Sequence, residues 1–157
     1  MDRLRGFTIV EIVVVVTVLA ILVSISFFAY NKVQQDARDN TRSGNATVIA
    51  EALEKYYRTN GEYPSVRNLV NNYAGNTGTV VAALLKIDPA ALKMPKMPGS
   101  ATNALYSGSV SNDYIIYTGS SVTNNTACQT STTGGCEKFT LTYAQETGSN
   151  ITVNSRH

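Results

Sequence analysis

One carboxylate stands at the start of a long hydrophobic run. Glu11 is followed by residues 12–30, which contain no charged side chain. A carboxylate among apolar groups is unfavourable unless it is paired or protonated, so an ionisable residue in such a run is a candidate functional group. The chemistry that Glu11 offers is ion pairing. The alternative is that Glu11 lies close enough to the start of the run to reach interfacial water.

The sequence contains no catalytic or metal-binding constellation. The only histidine is His157, and there is no P-loop or Gly-x-Gly-x-x-Gly motif. The net charge of +2 comes with no basic run, which gives no support for nucleic-acid binding. The sequence therefore predicts no enzyme, cofactor or metal. Four scattered carboxylates are expected on the solvated surface: Asp88, Asp113, Glu137 and Glu146.

Two cysteines, Cys128 and Cys136, flank a flexible polar stretch at residues 129–135. A disulfide is expected if this part of the chain lies outside the cytoplasm. Closing so short a loop would stabilise the fold by roughly 2–3 kcal/mol. Two free thiols are the alternative, and a zinc site is poorly supported because His157 is the only histidine.

The apolar run at residues 9–30 is long enough to cross a bilayer. About 20 residues suffice for a helix, and within lipid a helix satisfies all its own backbone groups. Arg3 and Arg5 precede the run, which predicts a cytoplasmic N-terminus and an external C-terminal domain. An ordinary secretory signal is disfavoured, because the run is too long and no small-x-small cleavage site closes it.

The helix is expected to continue without a break over residues 7–59. No proline occurs before Pro64, and Asn60-Gly61 is a stop signal. The second half shows an amphipathic spacing that should pack on a sheet, whereas the apolar first half should bundle with other copies. The expected stripe consists of Val33, Ala37, Ala46, Ile49, Ala50, Leu53, Tyr56 and Tyr57.

Short elements follow the long helix. Helices are expected at 66–73 and 80–86, with a turn capped by Asp88 through residue 93. Strands are expected at 105–108, 114–118, 138–144 and 151–154, separated by Gly, Ser and Asn turns. The predicted fold is α+β: a long N-terminal helix, apolar in its first half and amphipathic in its second, packed on a small antiparallel sheet.

The segment Gly6-Phe7-Thr8-Ile9-Val10-Glu11, followed by an apolar helix, resembles the type IV prepilin signal. The tyrosine-rich helix end, with Asn60-Gly61 and then Tyr63-Pro64, is similar to that of many pilins and type II secretion pseudopilins. The resemblance implies that a membrane aspartic peptidase cuts after Gly6 on the cytoplasmic side. The same enzyme then methylates the new N-terminal residue, Phe7.

The resemblance also implies what Glu11 does. In that family the glutamate pairs with the N-terminal amine of a neighbouring subunit and fixes the axial register, and Thr8 would support that amine. The implied partners are other copies of the chain in a helical filament, the prepilin peptidase and methyltransferase, and a bacterial inner-membrane assembly platform with its ATPase.

The predicted organisation has four parts: a leader (1–6), a filament-core helix (7–30), the amphipathic half of that helix (31–60) and a head (61–157). The head consists of a connecting region (61–104) followed by a sheet with the disulfide loop (105–157).

The resulting hypothesis is a structural subunit of an extracellular type IV pilus, serving adhesion, twitching motility or DNA uptake. Before assembly it would be a single-pass membrane protein. Two alternatives remain open: a pseudopilin of a type II secretion or competence system, and an uncleaved membrane protein whose external domain binds a ligand.

Overall fold

A computed structural model describes residues 6–73, 75–121, 128 and 136–157. The chain divides into two compact units, Met1–Ala37 and Arg38–His157. A single helix, α1 (Ile9–Asn60), contributes residues to both units.

In the first unit α1 is hydrophobic on every side. Every large hydrophobic side chain from Phe7 to Tyr30 is at least half exposed. By its length and composition this helix is long and apolar enough to cross a membrane. A helix that is apolar all round is stable when lipid or other helices surround it.

The hydroxyl groups within this apolar stretch are satisfied by the helix itself. Thr17 donates to the carbonyl of Val14, and Ser24 donates to the carbonyl of Ala20, both at 2.8 Å. The hydroxyl of Ser26 donates to the carbonyl of Leu22, also at 2.8 Å. Bonds of this kind remove the need for water at these positions, which suits an apolar environment.

In the second unit α1 buries part of the predicted stripe. Ala46, Ile49 and Leu53 are fully buried, which confirms the central part of the prediction. The prediction was wrong for Val33 and Ala37, which are exposed. The reason is that the second unit begins at Arg38, so these two residues belong to the first unit, none of whose described residues is buried.

The described residues of the connecting region form three short helices. They are α2 (Val66–Leu69), α3 (Gly78–Leu85) and a 3₁₀ helix at Pro89–Leu92. The hydroxyl of Thr77 caps α3 by accepting a bond from the backbone N–H of Val80, and the carboxylate of Asp88 caps the 3₁₀ helix. Helix α2 is shorter than predicted because Val70 has an extended backbone.

The sheet has the order β1-β2-β3-β4. Strands β2 (Ile115–Ser120), β3 (Lys138–Ala144) and β4 (Asn150–Asn154) form an antiparallel meander. Strand β1 (Leu105–Tyr106) pairs parallel with β2, so the sheet is antiparallel in all but one of its pairings. Gly148, at φ +93°, supplies the left-handed residue in the turn between β3 and β4.

The core lies between the sheet and the second part of α1. Phe139, Leu141 and Tyr143 alternate along β3 and are buried, as expected for a strand with one face inward. They join Ile49 and Leu53 of α1 in one hydrophobic cluster. The α+β architecture predicted from the sequence is thus confirmed.

Candidate assembly site

Thr8 and Glu11 form a reciprocal hydrogen-bonded cap at the start of α1. The backbone N–H and the hydroxyl of Thr8 donate to Oε2 of Glu11, at 2.8 and 2.9 Å. The backbone N–H of Glu11 in turn donates to Oγ1 of Thr8, at 3.2 Å. Thr8 immediately precedes the first helical residue, so Thr8-x-x-Glu11 is a capping box. The three-residue spacing from threonine to glutamate is a sequence signal for this cap.

The capping box leaves half of the Glu11 carboxylate without a partner. Both bonds from Thr8 reach Oε2, and Oε1 accepts no hydrogen bond from the described part of the chain. No cation within the same described ranges forms an ion pair with Glu11. The side chain is held in one orientation by Thr8 and retains one oxygen that can accept a bond from outside the chain.

Gly6 and Phe7 lie just before the helix. Both are exposed and outside regular secondary structure, and the Phe7 side chain is 84% exposed. No atom lies within 4 Å of the position that a Cβ on Gly6 would take. The Gly6–Phe7 peptide bond is therefore in an accessible, non-helical segment, which is the backbone state that peptidases require.

The second unit contains a different carboxylate site, centred on Glu146. Arg38 donates to both of its oxygens, at 2.5 and 2.7 Å, and Lys96 donates to Oε2 at 3.1 Å. Arg42 adds two further bonds to Oε1 at 3.2 Å. The Glu146 side chain is only 6% exposed, so the expectation that it lies on the solvated surface was wrong. These cations, Arg38 foremost, lower the pKa of Glu146 to about 2.

Asp39 completes this cluster, which we call the Glu146 cluster (Arg38, Asp39, Arg42, Lys96 and Glu146). Its carboxylate accepts a bond from Arg42 at 2.7 Å and from the backbone N–H of Glu146 at 3.1 Å. Arg42 is 1% exposed and also donates to the carbonyl of Asn112. The cluster joins α1 to the β3–β4 turn, and buried charges of this kind are tolerated because each has several partners.

A disulfide joins Cys128 and Cys136. Their backbone carbonyls accept bonds from the N–H groups of Val66 and Tyr63, at 3.1 and 2.7 Å. The disulfide therefore holds the segment that follows α1. The intervening residues 129–135 fall outside the described ranges. In the parts of the chain that the structure describes, no group of three or more potential metal ligands occurs.

Comparison with known proteins identifies the N-terminal segment. Residues 1–27 match the prokaryotic N-terminal methylation motif, the hallmark of type IV pilin and pseudopilin precursors. The match includes Gly6, Phe7, Thr8 and Glu11 and ends within the apolar part of α1. No curated protein and no solved structure matches the chain. The match is confined to the first 27 residues and agrees with the resemblance of this segment to the type IV prepilin signal.

Proposed function

We propose that the chain is a precursor that is cut after Gly6, methylated on Phe7 and assembled through α1 into an extracellular filament of the type IV pilus class. The observation that carries this proposal is the half-satisfied Glu11 carboxylate at the start of a helix that is apolar on every side. Such a helix requires lipid or other helices around it, and such a carboxylate requires a cation.

The cut supplies the cation. Hydrolysis of the Gly6–Phe7 bond turns the backbone nitrogen of Phe7 into an α-amino group. Oε2 of Glu11 is held by Thr8, so Oε1 is the oxygen available to such an amine. The amine of a neighbouring copy is the partner that suits Oε1, and pairing the two charges in an apolar bundle offsets the desolvation cost of both. Only one stagger of two helices brings them together, so the pair also sets the axial register.

Thr8 acts through Glu11 in this proposal. The sequence suggested that Thr8 supports the amine directly. In the structure the hydroxyl and the N–H of Thr8 both hold the Glu11 carboxylate. Thr8 is thus a positioning residue, which orients the carboxylate and satisfies it in part while the chain is still alone in the membrane.

Residues 7–30, which enter α1 at Ile9, form the membrane-spanning and filament-core segment, and residues 31–60 lead into the head, residues 61–157. Arg3 and Arg5 favour a cytoplasmic N-terminus, which places the head outside the cell. A disulfide in the head agrees with that oxidising location. The partners are then other copies of the chain, the peptidase and methyltransferase, and a membrane assembly platform with its ATPase. The filament would serve adhesion, twitching motility or DNA uptake.

A pseudopilin of a type II secretion or competence system is the second candidate, because the matched motif is shared by both classes. The two candidates differ in whether the mature chain forms filaments on the cell surface. An uncleaved single-pass membrane protein differs from both, because its leader would remain attached.

Mass spectrometry of the mature protein tests the proposal. We expect the chain to begin at methylated Phe7 and to appear in the sheared surface fraction, where immunogold electron microscopy labels filaments. Gly6→Ala should leave the leader attached at least in part. A mature chain that still carries Met1–Gly6 refutes the processing step. A processed and methylated chain without surface filaments at native expression supports the pseudopilin instead.

A further inference from the structure

A neutral cleft lies in the second unit, lined on one side by residues 71–73 and 75–77 and on the other by residues 100–103 and 106. Its volume is about 480 Å³, within the roughly 300–1,000 Å³ of small-molecule sites. The described lining residues are mostly asparagine, serine, threonine and tyrosine, and none of them is charged. This composition contrasts with the apolar surface of the first unit and with the charges of the Glu146 cluster.

The two walls of the cleft are joined rigidly. The backbone N–H of Gly78 donates to Oγ1 of Thr102 at 3.1 Å, and a Cβ on Gly78 would lie only 1.9 Å from the Thr102 carbonyl oxygen. Asn103 is 1% exposed, and its side-chain amide donates to the carbonyls of Leu69 and Asn76 at 2.7 and 3.0 Å. A cleft built in this way is formed before any ligand arrives, which lowers the entropic cost of binding.

Two asparagine side chains are fixed through their amide nitrogens, which leaves their amide oxygens as acceptors. The amide nitrogen of Asn71 donates to the carbonyl of Asn103 at 2.9 Å. The amide nitrogen of Asn76 donates to the carbonyls of Arg67 and Val70 at 2.6 and 2.9 Å. These bonds fix both amide planes. Within the described residues, Oδ1 of Asn71 and Oδ1 of Asn76 accept no hydrogen bond, so both remain available as oriented acceptors.

Hydroxyl groups and an aromatic ring complete the lining. Ser100, Thr102 and Tyr106 each carry a hydroxyl that can both donate and accept. The Tyr106 ring is half-buried and stacks on the Tyr114 ring, with centroids 5.0 Å apart, which holds it in place. Tyrosine thus offers the cleft an apolar ring and a polar end together.

We propose that this cleft binds a neutral saccharide of one or two rings. Sugar hydroxyls both donate and accept, which complements two amide oxygens and several hydroxyls, and the apolar face of a sugar ring suits an aromatic side chain. Among the described lining residues there is no cation for an anionic ligand and no carboxylate for a metal ion. Arg67 is near the cleft but is not a lining residue, and its guanidinium lies over the Tyr73 ring, 5.5 Å from the ring centroid. The proposal does not depend on filament assembly, because no residue of the cleft belongs to α1.

The test uses the full chain in dodecylphosphocholine micelles, whose headgroup contains no sugar. The protein is first applied to an array of neutral, sialylated and sulfated mono- and disaccharides. The best neutral sugar is then titrated by NMR. We expect millimolar binding of at least one neutral sugar and weaker binding of its charged derivatives.

Three variants make the outcome specific. Ser100→Trp fills the cleft from an exposed position and should weaken binding by at least tenfold. Thr118→Trp, on the exposed face of β2, is the matched control and should change nothing. Tyr106→Phe keeps the ring stack, loses the hydroxyl and should weaken binding by a smaller factor. The proposal is overturned if no neutral sugar binds, if charged sugars bind better, or if Ser100→Trp binds as well as the parent chain.

Discussion

Glu11 and Glu146 are the same side chain in opposite surroundings. Glu146 is bonded through both oxygens to two arginines and a lysine, all from its own chain. One oxygen of Glu11 accepts bonds from the hydroxyl and the backbone N–H of Thr8, and no cation in the described residues forms an ion pair with Glu11. The partners of Glu146 are complete within the fold, so its role is to hold that fold. Those of Glu11 are incomplete, which points to a partner outside the chain.

The units that hold these carboxylates differ in the same way. The first unit exposes its large hydrophobic side chains, whereas the second buries a continuous core against the sheet. One helix serves both units because its sequence changes from uniformly apolar to amphipathic. The second unit obtains its packing from its own residues, whereas the described hydrophobic side chains of the first are left exposed.

Removing the charge of Glu11 should have the largest effect. Glu11→Gln keeps an acceptor for the capping box but cannot form an ion pair. Without that charge the proposed pair with a neighbouring amine cannot form, so filaments in the sheared fraction should be nearly absent. Mass spectrometry should still find the chain cut after Gly6. Thr8→Val, which loses only the capping hydroxyl, should cost about 1 kcal/mol and reduce filament yield much less. Normal filaments from Glu11→Gln would refute the pairing role.

Glu146→Gln should destabilise the second unit and leave processing of the first untouched. Arg38 and Arg42 would lose their common anionic partner, and we expect the free energy of unfolding to fall by about 3–5 kcal/mol. Denaturation of the full chain in micelles, followed by near-UV circular dichroism of the tyrosines, measures this change. Glu62→Gln, at an exposed carboxylate, is the control and should stay within about 0.5 kcal/mol. Equal stability of the two variants would mean that the Glu146 cluster contributes nothing.

Acid should weaken the second unit through the same carboxylate. The pKa of Glu146 is about 2 in the folded chain, below its value of 4.5 without these partners. A carboxylate with a lowered folded pKa stabilises the fold above its unfolded pKa, and that stabilisation is lost as the pH falls through the folded pKa. Stability should therefore decline from about pH 5 to pH 2. The decline should be shallower in Glu146→Gln, and parallel pH profiles of the two proteins would contradict this assignment.

Two glycine substitutions should change the free energy of unfolding in opposite directions, and the stabilising one should have the smallest effect of all these changes. Gly44 lies inside α1, where an added Cβ meets no atom within 4 Å. Gly44→Ala should raise the free energy of unfolding by about 0.5–1 kcal/mol, because alanine favours the helix. Gly78→Ala should do the reverse, since its Cβ would collide with the Thr102 backbone. Thermal melts of both variants check the two signs, and a destabilised Gly44→Ala chain would contradict the first.

Local features were predictable from the sequence. The stop at Asn60-Gly61 and the alternation of Phe139, Leu141 and Tyr143 depend on neighbours close in the chain, and α1 and β3 were predicted to within two residues. The Thr8–Glu11 cap was equally predictable, because both residues lie in one turn of helix. The buried state of Glu146 was not, because its partner Arg38 is 108 residues away. The parallel pairing of β1 with β2 likewise depends on tertiary packing and cannot be predicted from the residues of the turns.

The sequence by itself determined that residues 1–27 carry the N-terminal methylation motif and that the apolar run is long enough to cross a membrane. Both follow from residue types at short spacing along the chain. Only the tertiary structure decided that one carboxylate is complete and the other is half free, and that amides from separate segments surround one neutral cleft. The physical reason is that a polar group is satisfied by its neighbours in space, and folding brings those neighbours together from distant parts of the chain.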